Sequence, residues 1–212
     1  MLETIAGIEI PDTALVRDAT DLVREAENDL LFHHSRRVFL FGALQARRLG
    51  LNPDLELLYV GALFHDLGLI ETYSTTVQRF EVDGANAARA FLKGHGYSDA
   101  EATTVWTAIA LHTTPGVPEF MDPEIALVTA GVETDVLGIG YLDIAPGDVN
   151  AVTHAHPRKD FKRQILEAFT DGNINRPHTT FGNVNADVLS HFVPGFKYTN
   201  FVDVIRNSAW PD

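Results

Sequence analysis

The chain has 212 residues, 45% of them hydrophobic and 21% charged, with no Cys, and its 16 basic against 29 acidic side chains leave a formal net charge of −13. That length suits one domain whose core needs no disulfide or structural metal, and the lack of Cys excludes thiolate nucleophiles, Cys-rich zinc modules and iron–sulfur clusters. The acidic balance repels phosphate backbones and anionic lipid, no basic leader opens the chain, and no window approaches the roughly 18 to 20 apolar residues of a membrane span, so a cytoplasmic protein with neither nucleic-acid nor membrane partners is expected.

In chain order, Gly7-Ile8-Glu9-Ile10 is a short strand signal, and nothing later alternates as a train of strands. After the cap Asp12-Thr13, the residues Leu15, Val16, Ala19, Leu22, Val23 and Ala26 recur at helical spacing. A second helix is predicted from about Asp29 to Leu49, stopped by Gly50. A third is signalled by Asn52 as N-cap with Pro53 in the first turn, and it is apolar nearly all round to Gly68, which places it centrally. Asp83 reads as the N-cap of a helix reaching Gly94. Ser98-Asp99-Ala100-Glu101 is a capping box for a helix carrying Val105, Ile109 and His112 on one face. Asp122-Pro123 opens another, on which Val128, Val132 and Asp135 share a face. Pro157 to Phe169, Asn185 to Phe192 and about Thr199 to Trp210 complete an all-α reading, without a βαβ rhythm or a Gly-rich phosphate loop.

Ionisable residues have no place in a central apolar helix unless they are paired or hold a metal. Yet the third helix ends in Leu63-Phe64-His65-Asp66-Leu67-Gly68. On the second, His34 follows Leu31 by three residues and precedes Val38 by four, so it points inward, whereas His33 shares a face with Arg37 and Leu40; His34 is the preferred buried imidazole. Asp135 lies on the inward face of the Asp122 helix, and Gly131 one turn earlier removes a side chain where something must approach the backbone. Imidazoles and carboxylates converging from facing helices are how α-helical domains build metal sites. His112 reads equally as a hydrogen-bonded core histidine or as a functional group beside that site. His154 and His156 read as a surface pair, and Arg36, Arg37, Arg47 and Arg48 as a solvated or interface face.

His34, then His65-Asp66, then Asp135 resembles the spaced His…His-Asp…Asp pattern of the HD-domain superfamily of metal-dependent hydrolases. The surrounding text is similar to the cyanamide hydratase subfamily: His34-Ser35-Arg36-Arg37-Val38, Gly61-Ala62-Leu63-Phe64-His65-Asp66-Leu67-Gly68, Arg79-Phe80-Glu81-Val82-Asp83-Gly84, Ala108-Ile109-Ala110-Leu111-His112-Thr113, Pro157-Arg158-Lys159-Asp160 and Arg176-Pro177-His178-Thr179-Thr180. The likeness covers roughly residues 28–210. It implies an HD-type helical fold over 28–212, including a C-terminal helical extension, with residues 1–27 as an N-terminal segment whose helix packs on the domain. It also implies that His34, His65, Asp66 and Asp135 hold one divalent transition metal, with zinc preferred over iron or manganese. Phe80-Glu81-Val82-Asp83-Gly84 offers no His for a second ion.

The expected reaction is hydration of a small nitrile-like substrate, cyanamide to urea being the prototype, with Asp66 or His112 handling the proton. Phe32, Phe64, Asp83 and Thr113 are candidate substrate contacts. The alternative is phosphomonoester hydrolysis, for which Arg37, Lys93, Arg158, Lys159 and Arg176 are the available cations. A catalytically silent ligand-binding domain is the reading from another class. Phe196, Phe201 and Trp210 near the end of the sequence suit burial by a second subunit, so a homo-oligomer is expected.

Overall fold

Helix boundaries in the computed structural model, which describes residues 3–210, follow the capping chemistry of the chain. A two-residue hairpin, β1 (Thr4–Ile5) with β2 (Ile8–Glu9), precedes α1 (Ala14–Ala26), whose N-cap Thr13 accepts from the Val16 amide. Asn28 caps α2 (Asp29–Leu49), and Gly50 ends it in the left-handed conformation. In α3 (Leu55–Phe64) the start lies later than Asn52-Pro53 suggests, because Asp54 takes the amides of Glu56 and Leu57 onto one carboxylate oxygen. The helix α4 (Phe80–Gly94) starts ahead of Asp83, which therefore sits in its first turn and caps nothing. The capping box at Ser98 opens α5 (Asp99–Leu111) as expected.

Next comes α6 (Pro123–Val132), continued by a π-helical turn, Glu133–Leu137, that carries Asp135. The helix α7 (Pro146–Ala155) has no strong apolar stripe and escaped the sequence reading. The segment predicted to be helical from Pro157 instead forms α8 (Phe161–Asn173), because Asp160 is in the left-handed region and breaks any earlier start. Two short helices, α9 (Asn185–Phe192) and α10 (Phe201–Arg206), follow. None of the described helices is long and apolar enough to cross a membrane.

The third helix is central, as its composition requires: Leu57 to Phe64 are all buried, and it touches α1, α2, α4, α5 and α6. Helices α2 and α6 pack backbone to backbone. A Cβ on Gly42 would lie 2.7 Å from the Leu127 carbonyl oxygen, and one on Gly131 would lie 2.2 Å from that of Val38. This contact brings the middle of α2 against the turn that follows α6. A smaller cluster, Leu31, Leu69, Phe80, Phe161 and Ile165, packs between α8 and the HD-bearing end of α3. Arg36 and Arg37 are not on a solvated face. Both are buried, Arg36 against Tyr59, Glu3 and His156, and Arg37 against Asp135. His156 is likewise buried, its Nδ1 3.1 Å from that of His33, because the α7–α8 connection folds back over α2.

Candidate metal centre

Among the described residues, one group of imidazoles and a carboxylate is arranged to hold a metal ion: His34, His65 and Asp66, all buried. The middle of α2 supplies His34. His65 follows the last residue of α3, and Asp66 lies in the bridge region of backbone space (φ −100°, ψ 0°), so the chain leaves the helix there and turns the carboxylate toward both imidazoles. His34 Nε2 and His65 Nε2 are 3.2 Å apart, and Asp66 Oδ2 lies 3.3 Å from His65 Nε2 and 3.6 Å from His34 Nε2. Ligand atoms held about 2.0–2.2 Å from a zinc-sized ion stand roughly 3.0–3.5 Å from one another.

The proton positions support the same reading. His65 Nδ1 donates to the Ala62 carbonyl at 2.7 Å, and His34 Nδ1 donates to Asp135 Oδ2 at 2.7 Å. His112, which caps the C-terminus of α5, donates from Nδ1 to the Ile109 carbonyl at 2.7 Å. Each acceptor fixes the imidazole as the Nδ1–H tautomer, so all three Nε2 lone pairs face inward. Two lone pairs at 3.2 Å repel unless a cation lies between them. Both Asp66 oxygens and His112 Nε2 are buried without a hydrogen-bond partner, with His112 Nε2 3.7 Å from Asp66 Oδ1. Buried polar atoms left unpaired are costly; a divalent ion would satisfy the Asp66 carboxylate and leave His112 Nε2 as a lone-pair acceptor facing the same space. The donor set therefore fits a metal.

Electrostatics separate the groups. Burial works against the charge on Asp66, but His65, with His34 and His112, outweighs it and holds the carboxyl well below the usual carboxylate range. Burial pushes His112 down to about 4, with His65 adding to the effect, so it is neutral at pH 7. His34 is lowered by burial despite Asp135, whereas for His65 the neighbouring Asp66 overcomes burial and raises it.

Asp135 does not join the three-residue group. Its carboxylate sits on the Nδ1 side of His34, where Arg37 donates to both oxygens at 2.9 Å and Arg158 donates to Oδ1. The π-helical turn and the two guanidinium groups aim it there, behind the ligand rather than beside Asp66. Its carboxyl is held low by His34 and Arg37 against burial. Arg37 was legible in principle, since it follows His34 by three residues on α2.

Of the expected substrate contacts, the structure brings one to the cavity that opens from this group. That cavity, about 140 Å³, is bordered by Thr113. Phe64 instead packs in the core on Phe91, and Phe32 lies under the Arg24 guanidinium. Asp83 binds Thr75 and the buried Arg176. The sequence reading missed Val136 and Leu137 on the π-helical turn, and Phe169 and Val184, which come from outside the region of obvious motifs. It also missed that Glu81, fully buried, accepts from Arg79, Thr113, Asn183 and Asn185. The acidic residue was visible, but its partners are up to 104 positions away.

A family model described as HD domain matches residues 31–144, which span α2 to the start of the α7 connection and include every residue of the metal group. The chain belongs to the HD-domain family. No curated protein matches the sequence significantly. HD domains are typically metal-dependent hydrolases that hold divalent ions, and in this one His34, His65 and Asp66 form a group that could hold one. The all-α architecture expected from the sequence is the one observed.

Proposed function

We propose that this HD domain is a metal-dependent hydratase that adds water to a small, uncharged, nitrile-like substrate, as in the conversion of cyanamide to urea. One observation carries the reading. The cavity next to the metal group has no Lys or Arg in its lining, and its surface is almost entirely apolar. Phosphoryl transfer needs cations aimed at the developing charge. The candidates are engaged or remote: Arg37 and Arg158 bind Asp135, Arg176 binds Asp83, Lys93 pairs with Asp99, and Lys159 is exposed. A neutral substrate avoids the cost of bringing an unpaired charge into such a space.

A divalent ion bound here would supply a Lewis acid that lowers the pKa of water from 15.7 toward about 7. The chain would hold that ion through His34, His65 and Asp66, with His112 Nε2 facing the same point. Asp135, backed by Arg37, keeps His34 in its ligating tautomer. His112 Nε2 is an acceptor by virtue of its Nδ1 bond to Ile109, and it takes the proton that water releases as oxygen bonds to the substrate carbon. The same nitrogen then delivers that proton to the substrate nitrogen. The test is a panel assay of metal-analysed protein with cyanamide, small nitriles and phosphomonoesters. Urea or amide formation that tracks metal content, and little inhibition by millimolar inorganic phosphate, is the expected result. Phosphate release without hydration would overturn the proposal, and turnover of nothing with a full metal complement would assign a binding role.

A further inference from the structure

Beyond the metal group the cavity is walled by Pro115, Val132, Val136, Leu137, Phe169 and Val184. Two polar residues also border it. The Thr113 hydroxyl donates to Glu81 and accepts from Asn183 Nδ2 at 2.8 Å and Arg79 at 3.3 Å, which uses its one hydrogen and both lone pairs. Glu133 is half-buried and also borders a neighbouring cavity, and polar atoms make up almost none of the surface of this one. A molecule whose reactive end lies at His34, His65 and Asp66 therefore meets an almost wholly apolar surface at its other end.

The wall is built in place. Phe169 and Val184 lie outside the residues matched by the family model, and two buried clasps flank Val184. Arg176 donates to Asp83 and to the carbonyls of Gly68 and Thr75, and Asn183 and Asn185 donate to Glu81. A dry apolar cavity of about 150 Å³ takes up a molecule the size of benzene. At about 140 Å³, and opening to solvent past the exposed Leu137 and Val184, this one has room for a short hydrocarbon tail beside the metal group.

We infer that the cavity selects a small uncharged substrate with a branched aliphatic tail of three or four carbons, held against Leu137, Phe169 and Val184, and that cyanamide is a poor fit. For the reaction proposed above, on which this inference rests for its chemistry, the substrate is an alkyl nitrile such as isobutyronitrile. The water oxygen bonds to the nitrile carbon, the carbon–nitrogen triple bond gives up its π electrons, both water protons end on nitrogen, and the primary amide leaves with no change in oxidation state. Cyanamide would put two N–H donors against hydrocarbon, an unfavourable burial.

The inference is tested on the full metal-containing chain by titration with urea, acetamide and isobutyramide, which are products of the proposed reaction, and by kcat/KM for cyanamide, acetonitrile and isobutyronitrile. Each buried methylene is worth roughly fourfold in affinity. Isobutyramide is expected to bind at least tenfold more tightly than urea, with kcat/KM in the same order. Val184→Asn, at a half-exposed position that tolerates the change, is expected to shrink both ratios. Urea binding as tightly as isobutyramide, or cyanamide hydrated faster than isobutyronitrile, overturns the inference and leaves the hydratase reading standing. Preferred isobutyramide binding without hydration of any nitrile overturns that reading and supports the tail selectivity.

Discussion

Replacing Gly131 with Ala tests whether the close approach of α2 and α6 builds the metal site. Its Cβ would lie 2.2 Å from the Val38 carbonyl oxygen and 3.0 Å from the carbonyl carbon. The first contact is about 1.3 Å short of the roughly 3.5 Å at which non-bonded atoms attract, and the obstacle is backbone, which no rotamer change removes. Inserting a methyl into a packed interface costs typically 1–3 kcal/mol, and the better helix propensity of Ala returns at most about 1 kcal/mol. A net loss of about 1–2 kcal/mol corresponds to a fall in Tm of roughly 2–8 °C for a chain of this size. Gly131 also lies four residues before Asp135, and Val38 four residues after His34, so separating the helices lengthens the 2.7 Å His34–Asp135 bond and weakens metal retention. Thermal unfolding and elemental analysis are read together, with Gly147→Ala in α7 as control, where a Cβ meets nothing within 4 Å. If Gly131→Ala were as stable as the control and kept its metal, the reasoning would be refuted.

Further outcomes are expected at the site and at the surface. His65→Ala is expected to abolish metal binding and turnover, and His33→Ala to spare the metal. Asp135→Asn is expected to weaken binding by about 10–100-fold, the usual effect of losing a group that orients a ligand; a loss as complete as that of His65→Ala would make Asp135 a ligand. Burial, reinforced by Arg36 and His33, depresses the His156 pKa to about 3, so the unfolded chain binds its proton near 6.5 while the folded chain refuses it. Stability is therefore lost as pH falls below about 6.5, and urea midpoints at pH 7.5 and 5.5 should differ less in His156→Asn than in the wild type. Phe201 and Trp210 are 64% and 87% exposed, an apolar surface that a second copy would bury, so light scattering at micromolar concentration should give a mass above 23.3 kDa that falls on deletion of 199–212. A monodisperse monomer would refute that assembly.

Local chemistry made the helices and the heart of the site legible in the sequence. Capping residues such as Thr13 and Ser98 set helix starts by satisfying amides within a turn, and the nearly uniform apolar run before His65-Asp66 required a central helix whose polar end had a purpose. The inward phase of His34 followed from its spacing to Leu31 and Val38, and Gly131 signalled a close approach whose partner, Val38, appears only in the fold. The surroundings of the site were not legible in this way. Arg36, Arg37 and His156 looked like surface groups because their burial depends on a connection about 120 positions away folding over α2. Phe169 and Val184 resemble any core residues until Arg176 and Asn183 reach back to α4 and seat them beside the metal group. The setting of Asp135, behind His34 and between two guanidinium groups, depends on one π-helical turn that no local pattern announces. The sequence by itself determined which side chains have the chemistry to hold a metal, because ligand type and helical phase are local properties. Only the tertiary structure decided which of them converge and what surrounds the open space, because packing between distant segments sets both.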